Sequence, residues 1–171
     1  MRKWIVGVLI FLLIVTLFGA HYLGFFAPSF SSVVGNPIQR VELTDLNGDT
    51  RSFDELEGNA TVIYFFASWC RPCYKTLAML QETSQNNTLQ IDLLTVALDG
   101  DLEGIVGMLD KTGFSGKVWL ASEGTMALQR RYFGNENRAV PYIVMLDNET
   151  NIVESSYYLD SSQWETILID P

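Results

Sequence analysis

Two spacings of apolar residues recur along the chain and predict strands and helices in turn. Ala60–Ala67 (ATVIYFFA) and Ile91–Leu98 (IDLLTVAL) are runs of apolar, β-forming residues, which predict strands buried on both faces. In Asp101–Thr112 the apolar residues recur every three to four positions, which predicts a helix that ends before Gly113. The same patterns predict strands at Val41–Leu46, Lys117–Ala121, Val140–Leu146 and Ile152–Tyr158, and helices from Cys70 to about Ser84, from Ser122 to about Phe133 and over Ser161–Ile169.

The order of these elements predicts the fold class. Strand, helix, strand and helix are followed by an antiparallel hairpin and a final helix, which is the order of an α/β sandwich with three layers. Its parallel strands require right-handed crossovers. Ser52 and Glu55 have the spacing of a capping box for one helical turn, and Ser161 or Ser162 is predicted to cap the last helix.

The N-terminal segment has a different pattern. Ile5–Ala27 contains no Asp, Glu, Lys or Arg over 23 residues, a length sufficient to cross a hydrocarbon core of roughly 30 Å. Arg2 and Lys3 precede it, and this asymmetry places the N-terminus in the cytoplasm. A cleaved signal peptide is the alternative, but its apolar region would be shorter, about 7–15 residues. We therefore predict a transmembrane signal anchor over residues 1–27, a linker over 28–37 and one exported domain over 38–171.

Composition and charge narrow the function classes. The chain has 171 residues and a net charge of −9, with 11 basic and 20 acidic side chains. Without Arg2 and Lys3 the exported part carries 9 basic against 20 acidic side chains, or −11. An acidic surface without a basic stripe repels phosphates, so we expect no nucleic-acid partner.

The two cysteines of the chain, Cys70 and Cys73, are the candidate chemistry, and three interpretations are open. A structural zinc site needs four ligands, and the single histidine, His21, lies in the predicted membrane span, so we expect no metal. A static disulfide is common in exported domains, but this bridge closes a very short loop and would constrain the unfolded chain weakly. The third interpretation is a redox-active pair.

The position of the pair favours redox chemistry. Cys70 follows a buried strand and begins a helix, where free amide groups and the positive helix end stabilise a thiolate. Arg71 adds positive charge, and Pro72 is tolerated because its missing N–H would have no helical partner there. Cys73 lies on the same face one turn later. An exposed, activated thiolate with a second thiol behind it is what disulfide exchange requires.

Trp69-Cys70-Arg71-Pro72-Cys73, preceded by VIYFFAS, resembles the thioredoxin superfamily. The chain is similar to the membrane-anchored, exported TlpA/ResA/DsbE-like thiol–disulfide oxidoreductases of bacteria over about Val41 to Leu168. SFDELEG, LLTVALD and AVPYIVMLDNETNIV match that group's layout in order. The resemblance implies a thioredoxin-like α/β/α sandwich with a mixed central sheet.

The resemblance also implies roles for single residues. Cys70 is the expected nucleophile and Cys73 the resolving cysteine, and the two are expected to form a disulfide. Trp69 is expected over the active site. Pro141 is the expected cis-proline facing the dithiol, and Val140 would offer its backbone to an extended substrate segment.

Two positions depart from the family pattern. Tyr64 stands where thioredoxins often have a buried acid, and Thr76 stands where some ResA-like members have Glu. Either acid would assist proton transfer from the buried thiol. Because both acids are absent, the sequence does not indicate which residue takes that proton. The alternative is that Tyr64 is an ordinary core residue, because it lies in the apolar run Ala60–Ala67.

The function that the resemblance implies is reduction of protein disulfides by an enzyme without a cofactor. Arg-Pro between the cysteines resembles the Gly-Pro of reducing thioredoxins more than the Pro-His of strong oxidants. The implied location is the bacterial cytoplasmic membrane, single-pass, with the domain on the periplasmic or extracytoplasmic side. Implied partners are disulfide-containing exported proteins, apocytochrome c among them, and a DsbD- or CcdA-like membrane electron donor. The alternatives are an oxidase or isomerase of the same fold, a Cu(I)-carrying dithiol and a scaffold with an inert disulfide.

Overall fold

The computed structural model describes residues 2–22, 33–121 and 132–170. Its helices are α1 (Arg2–Tyr22), α2 (Arg71–Asn86), α3 (Leu102–Thr112) and α4 (Ser161–Ile169), with a one-turn 3-10 helix at Phe53–Leu56. Its strands are β1 (Leu43–Asp45), β2 (Thr50–Arg51), β3 (Thr61–Phe66), β4 (Asp92–Ala97), β5 (Lys117–Ala121), β6 (Tyr142–Leu146) and β7 (Ile152–Ser156).

The seven described strands form one mixed sheet in the order β2-β1-β5-β4-β3-β6-β7. β3 runs parallel to β4, and β4 runs parallel to β5. β6 runs antiparallel to β3, with Phe65 opposite Tyr142, and β7 continues as an antiparallel hairpin. The carboxyl end of β3 therefore lies beside the amino end of β6. This edge carries both the segment that follows β3 and the segment that precedes β6.

β3 is buried on both faces, as its continuous apolar sequence predicts. Because side chains alternate along a strand, Tyr64 and Phe66 face one side of the sheet and Ile63 and Phe65 face the other. We call the first side the dithiol face. It is covered by α2, α3 and α4, which contribute the buried residues Cys73, Leu77, Leu80, Ile105, Met108, Leu109, Trp164 and Leu168.

The opposite face is covered by an aromatic cluster. Phe133 packs against Phe65 and Phe53 at ring-centroid distances of 4.9 and 5.9 Å. Phe53 comes from the 3-10 turn, whose predicted capping box between Ser52 and Glu55 is confirmed. Most of the helix predicted from Ser122 to about Phe133, which would add to this layer, lies outside the described residues.

The predicted elements agree with the described ones within about two residues at most ends, and the cap of α4 is an exception. The prediction of Ser161 or Ser162 as its cap is wrong. The Asp160 carboxylate accepts the Gln163 amide N–H at 2.9 Å, and the Gln163 side chain accepts the Asp160 amide N–H at 2.9 Å. This reciprocal pair places the cap one residue earlier, so that Ser161 is the first helical residue.

The N-terminal helix α1 covers much of the predicted anchor. In the part of the chain that the structure describes, no helix combines the length and hydropathy that a membrane span needs. The predicted apolar segment continues to Ala27, and residues 23–27 lie outside the described ones. The anchor over residues 1–27 and the linker over 28–37 therefore stay predictions.

Candidate active site

The two cysteines lie where β3 leads into α2. Cys70 is the N-cap residue of α2, and Cys73 lies in its first turn. The chain turns sharply here, because the amide of Cys70 donates to the Ala67 carbonyl at 3.0 Å. Cys70 and Cys73 are joined by a disulfide, with their Cα atoms 5.3 Å apart.

Burial distinguishes the two cysteines. Cys70 is 2% exposed and Cys73 is 0% exposed, and both pack into the apolar cluster of the dithiol face. The expectation that Cys70 is well exposed is wrong for this disulfide form, because apolar side chains surround the helix start. Since only Cys70 has any exposed surface, an incoming thiolate would reach the disulfide from the Cys70 side.

The electrostatic setting of Cys70 is that of an open helix N-terminus. No side chain caps α2, and its first turn has no acidic residue to offset the positive end of the helix dipole. Arg71 is exposed at the first helical position, and Pro72 follows it, so the missing proline N–H breaks no helical hydrogen bond. A thiolate on Cys70 would be stabilised here.

Trp69 lies beside the disulfide with its side chain directed to solvent, 61% exposed. Together with Ser68 and Tyr74 it lines one side of an open groove of about 580 Å³, and one side of α3, from its N-cap residue Asp101 to Lys111 in its last turn, lines the other. The α3 side carries Asp101, Glu103 and Lys111. The groove thus borders the two residues that precede Cys70.

The segment before Cys70 is fixed by a residue that the sequence reasoning missed, Asp99. The Ser68 amide and the Ser68 hydroxyl both donate to Oδ2 of Asp99, at 2.8 and 2.6 Å. Asp99 Oδ1 is buried without a hydrogen-bond partner. Asp99 is the second residue after β4, so its place at the carboxyl end of a strand parallel to β3 was a usable signal.

Gly104 lets α3 approach the same segment. A Cβ atom at this position would lie 2.9 Å from the Ser68 Cβ, closer than carbon atoms tolerate. The absent side chain therefore allows the first turn of α3 to pack directly against the residues before the disulfide.

The proline side of the site lies across the sheet edge from the dithiol. The Val140–Pro141 peptide bond is cis, in agreement with the expectation from the family pattern. Because Phe65 pairs with Tyr142, the antiparallel register continues Pro141 toward Phe66. Val140 is partly buried and packs against the cluster that contains both cysteines. The fold thus brings Val140 and Pro141 to the edge at which α2 begins.

Two hydrogen-bonded side chains hold this proline segment, and the sequence reasoning missed both. Asn135, which is fully buried, donates to the Ala139 carbonyl at 2.9 Å and accepts the Ala139 amide at 3.2 Å. Tyr142, directly after Pro141, donates its hydroxyl to the Phe133 carbonyl at 2.7 Å. No periodic pattern signals such contacts, because each depends on the loop conformation between residues 133 and 142.

The described residues form no candidate metal site. In those ranges, no group of three or more His, Cys, Asp or Glu side chains is arranged to hold a metal ion.

Solved structures with the same architecture define the class of fold. A thiol:disulfide interchange protein of the thioredoxin family from Chlorobium tepidum superposes with a TM-score of 0.63 at 17% identity, covering 77% of this chain and 92% of that one. StoA from Bacillus subtilis superposes with a TM-score of 0.58 at 18% identity, covering 75% of this chain and 96% of that one. The chain has the thioredoxin-like α/β fold with a mixed sheet.

The sequence model of the AhpC/TSA family matches residues 34–157, more than half of the chain. The chain belongs to the AhpC/TSA family.

Among curated relatives, the thiol-disulfide oxidoreductase ResA of Bacillus anthracis is 31% identical over 61 residues, which are 36% of this chain and 35% of that protein. Human nucleoredoxin is 27% identical over 135 residues, 72% of this chain and 27% of that protein. The matches span about a third or less of the length of these relatives.

Proposed function

We propose that the chain is a thiol–disulfide oxidoreductase that reduces protein disulfides through Cys70 and Cys73. The observation that carries the proposal is the Cys70–Cys73 disulfide at the uncapped start of α2, with Cys70 as the less completely buried of the two cysteines. The cis Val140–Pro141 bond at the same sheet edge and the oxidoreductase relatives support it.

The reaction proceeds in two exchanges. In the reduced protein, the Cys70 thiolate attacks one sulfur of a substrate disulfide, and the other substrate sulfur leaves as a thiolate. Cys73 then gives up its proton to that thiolate and attacks the Cys70 sulfur, which releases the second substrate sulfur as a thiolate. The substrate gains two electrons, and the protein ends in the disulfide form that the structure shows.

The surrounding residues have separate parts in this scheme. Trp69 and the groove beside it would receive the substrate segment that flanks its disulfide. Val140 would offer its backbone groups to the same segment, with Pro141 fixing the turn of the chain. Arg71 would add to the stabilisation of the Cys70 thiolate.

The proposal includes a location and an electron source. Residues 1–27 would tether the domain to the bacterial cytoplasmic membrane with the dithiol on the extracytoplasmic side, because Arg2 and Lys3 precede 23 residues without a charged side chain. A reductase in an oxidising compartment needs electrons from across the membrane, so a DsbD- or CcdA-like protein would return the disulfide to a dithiol. Extraction of membranes at alkaline pH tests the tether: release of the full chain into the supernatant would contradict it.

The full chain, purified in detergent, should accelerate the reduction of insulin disulfides by dithiothreitol. Cys70→Ser should remove this acceleration, and Cys73→Ser should hold substrate as a mixed disulfide through Cys70. Full activity of Cys70→Ser would overturn the proposal. Tight stoichiometric binding of Cu(I) by the reduced chain, without reductase turnover, would favour the copper-carrier alternative instead.

A further inference from the structure

Tyr64 is a buried polar group that the exchange scheme leaves without a part. It is 0% exposed in the middle of β3, with its ring stacked on Phe66 and in edge contact with Trp164. Its hydroxyl is buried without a hydrogen-bond partner. An unpartnered hydroxyl in an apolar core costs about 1–3 kcal/mol, so packing alone does not account for a tyrosine at this position.

The hydroxyl is on the side of β3 that faces the dithiol. Tyr64 and Cys73 belong to the same buried cluster, and Cys73 lies in the first turn of α2 that covers this face. Thr76 lies one helical turn beyond Cys73 on the same side of α2. Its hydroxyl is close enough to Tyr64 to lower the pKa of Tyr64, against the larger effect of burial, which raises that pKa. No hydrogen bond of acceptable geometry joins the two hydroxyls, however. Tyr64 and the first turns of α2 therefore pack in one buried layer, which also contains Cys73.

A change of redox state would give the hydroxyl a partner. A disulfide sulfur is a weak hydrogen-bond acceptor, whereas a thiolate is a charged one, and hydrogen bonds to charged groups are about twice as strong. When the disulfide opens, Cys73 becomes a thiol that must ionise before it attacks. A buried thiolate without a donor nearby is strongly disfavoured.

We propose that the Tyr64 hydroxyl donates a hydrogen bond to the Cys73 thiolate and thereby sets the rate of the resolving step. The inference rests on the proposed function, because it assigns Cys73 the second exchange. Tyr64 acts as a donor and not as a base: burial raises its pKa well above the usual value, so the hydroxyl keeps its proton while the Cys73 proton goes to the substrate thiolate.

The test is Tyr64→Phe in the full chain, which keeps the ring and removes only the oxygen. The reduced chain is mixed with excess oxidised glutathione, and the formation and the resolution of the mixed disulfide are followed as two steps. We expect the second step to slow about tenfold and its pH midpoint to rise by about one unit, with the first step unchanged.

Thr95→Val is the matched control. Thr95 pairs with Tyr64 in the parallel register, and its buried hydroxyl has a partner of its own, the Lys117 carbonyl at 2.9 Å. Its removal should lower stability without moving the pH midpoint of either step. A direct readout is the Cys73 pKa from thiolate ultraviolet absorbance, compared between Cys70→Ser and the Cys70→Ser/Tyr64→Phe double variant.

The outcomes separate the two proposals. If the unsubstituted chain forms no mixed disulfide, the proposed function fails. If the mixed disulfide forms and Tyr64→Phe resolves it at the unsubstituted rate and pH midpoint, the inference about Tyr64 is overturned while the function stands. Equal slowing of both steps would also overturn it, since that is the result of a general structural effect.

Discussion

The two faces of the sheet each bury a tyrosine, and the two hydroxyls differ. Tyr142 belongs to the opposite face and donates to the Phe133 carbonyl at 2.7 Å. Tyr64 belongs to the dithiol face and has no partner. The two rings are 1% and 0% exposed, so burial does not distinguish them.

The difference distinguishes the face of the sheet that supports the site from the face that contains the cysteines. On the opposite face, the Tyr142 hydroxyl donates to the Phe133 carbonyl and so fixes the segment that leads into Pro141. Donor and acceptor are therefore both paired in the disulfide form. On the dithiol face, the Tyr64 hydroxyl makes no hydrogen bond in the disulfide form, and the buried layer around it also contains Cys73, whose charge would change during the proposed reaction. One face supports the site, and the other contains the part that reacts.

The largest expected effect concerns the packing of the dithiol face. Trp164 is 1% exposed and in edge contact with Tyr64 at 5.9 Å, so Trp164→Ala should lower the free energy of unfolding by about 3–5 kcal/mol. Urea denaturation of the oxidised chain measures it. Trp69→Ala is the matched control: Trp69 is 61% exposed, and its loss should cost no more than about 0.5 kcal/mol. Similar losses in both variants would contradict the packing described for this face.

The second prediction compares the two tyrosines directly. Tyr142→Phe leaves the buried Phe133 carbonyl without its donor and should cost about 1–3 kcal/mol of unfolding free energy. Tyr64→Phe removes a buried hydroxyl that makes no hydrogen bond, so it should leave the stability of the oxidised chain unchanged or raise it, by up to about 1–3 kcal/mol. A cost for Tyr64→Phe as large as that for Tyr142→Phe would show that the Tyr64 hydroxyl already has a partner.

The third prediction uses alkaline pH. Burial raises the pKa of Tyr142 to about 12, above the value of about 10 in an unfolded chain. The stabilisation from the neutral phenol is therefore complete below pH about 10 and is lost as the pH rises from there through the folded pKa. Urea midpoints measured across this range should fall with pH, and the fall should be smaller in Tyr142→Phe. An equal fall in both chains would argue against a buried Tyr142.

The smallest expected effect is at acidic pH. The Ser162 hydroxyl and the Gln163 amide lower the pKa of Asp160 at the start of α4. A lowered folded pKa gives stability that is present above the unfolded pKa of about 3.9 and is lost as the pH falls through the folded value. Asp160→Asn keeps an acceptor oxygen for the cap but does not titrate, so its stability should fall less between neutral and acidic pH. A parallel acid dependence in both chains would contradict the assigned cause.

Much of this arrangement was predictable from the sequence because it is local. The apolar run of β3, the helix start at Cys70 and the Ser52–Glu55 box each depend on residues close together in the chain. The cis bond before Pro141 followed from a family pattern that includes its neighbours. These features need no knowledge of what packs against them.

The features that could not be predicted from the sequence depend on contacts between distant segments or on loop conformation. Ser68 and Asp99 are 31 residues apart and meet only because β3 and β4 are parallel neighbours. The clamp of Asn135 on Ala139 forms within one loop, where no period applies. The near-complete burial of Cys70 also required knowing which side chains surround the helix start. Periodicity indicates which side of an element is buried but not which partner it meets.

The central claim is that the start of α2 stabilises a thiolate on Cys70. In the Cys73→Ser variant of the full chain, reduced and free of bound substrate, the rate of Cys70 alkylation by iodoacetamide is measured against pH. The account predicts a thiol pKa clearly below the unperturbed value of about 8.5, because the helix N-terminus and Arg71 both favour the charged form. A pKa at or above that value would contradict it.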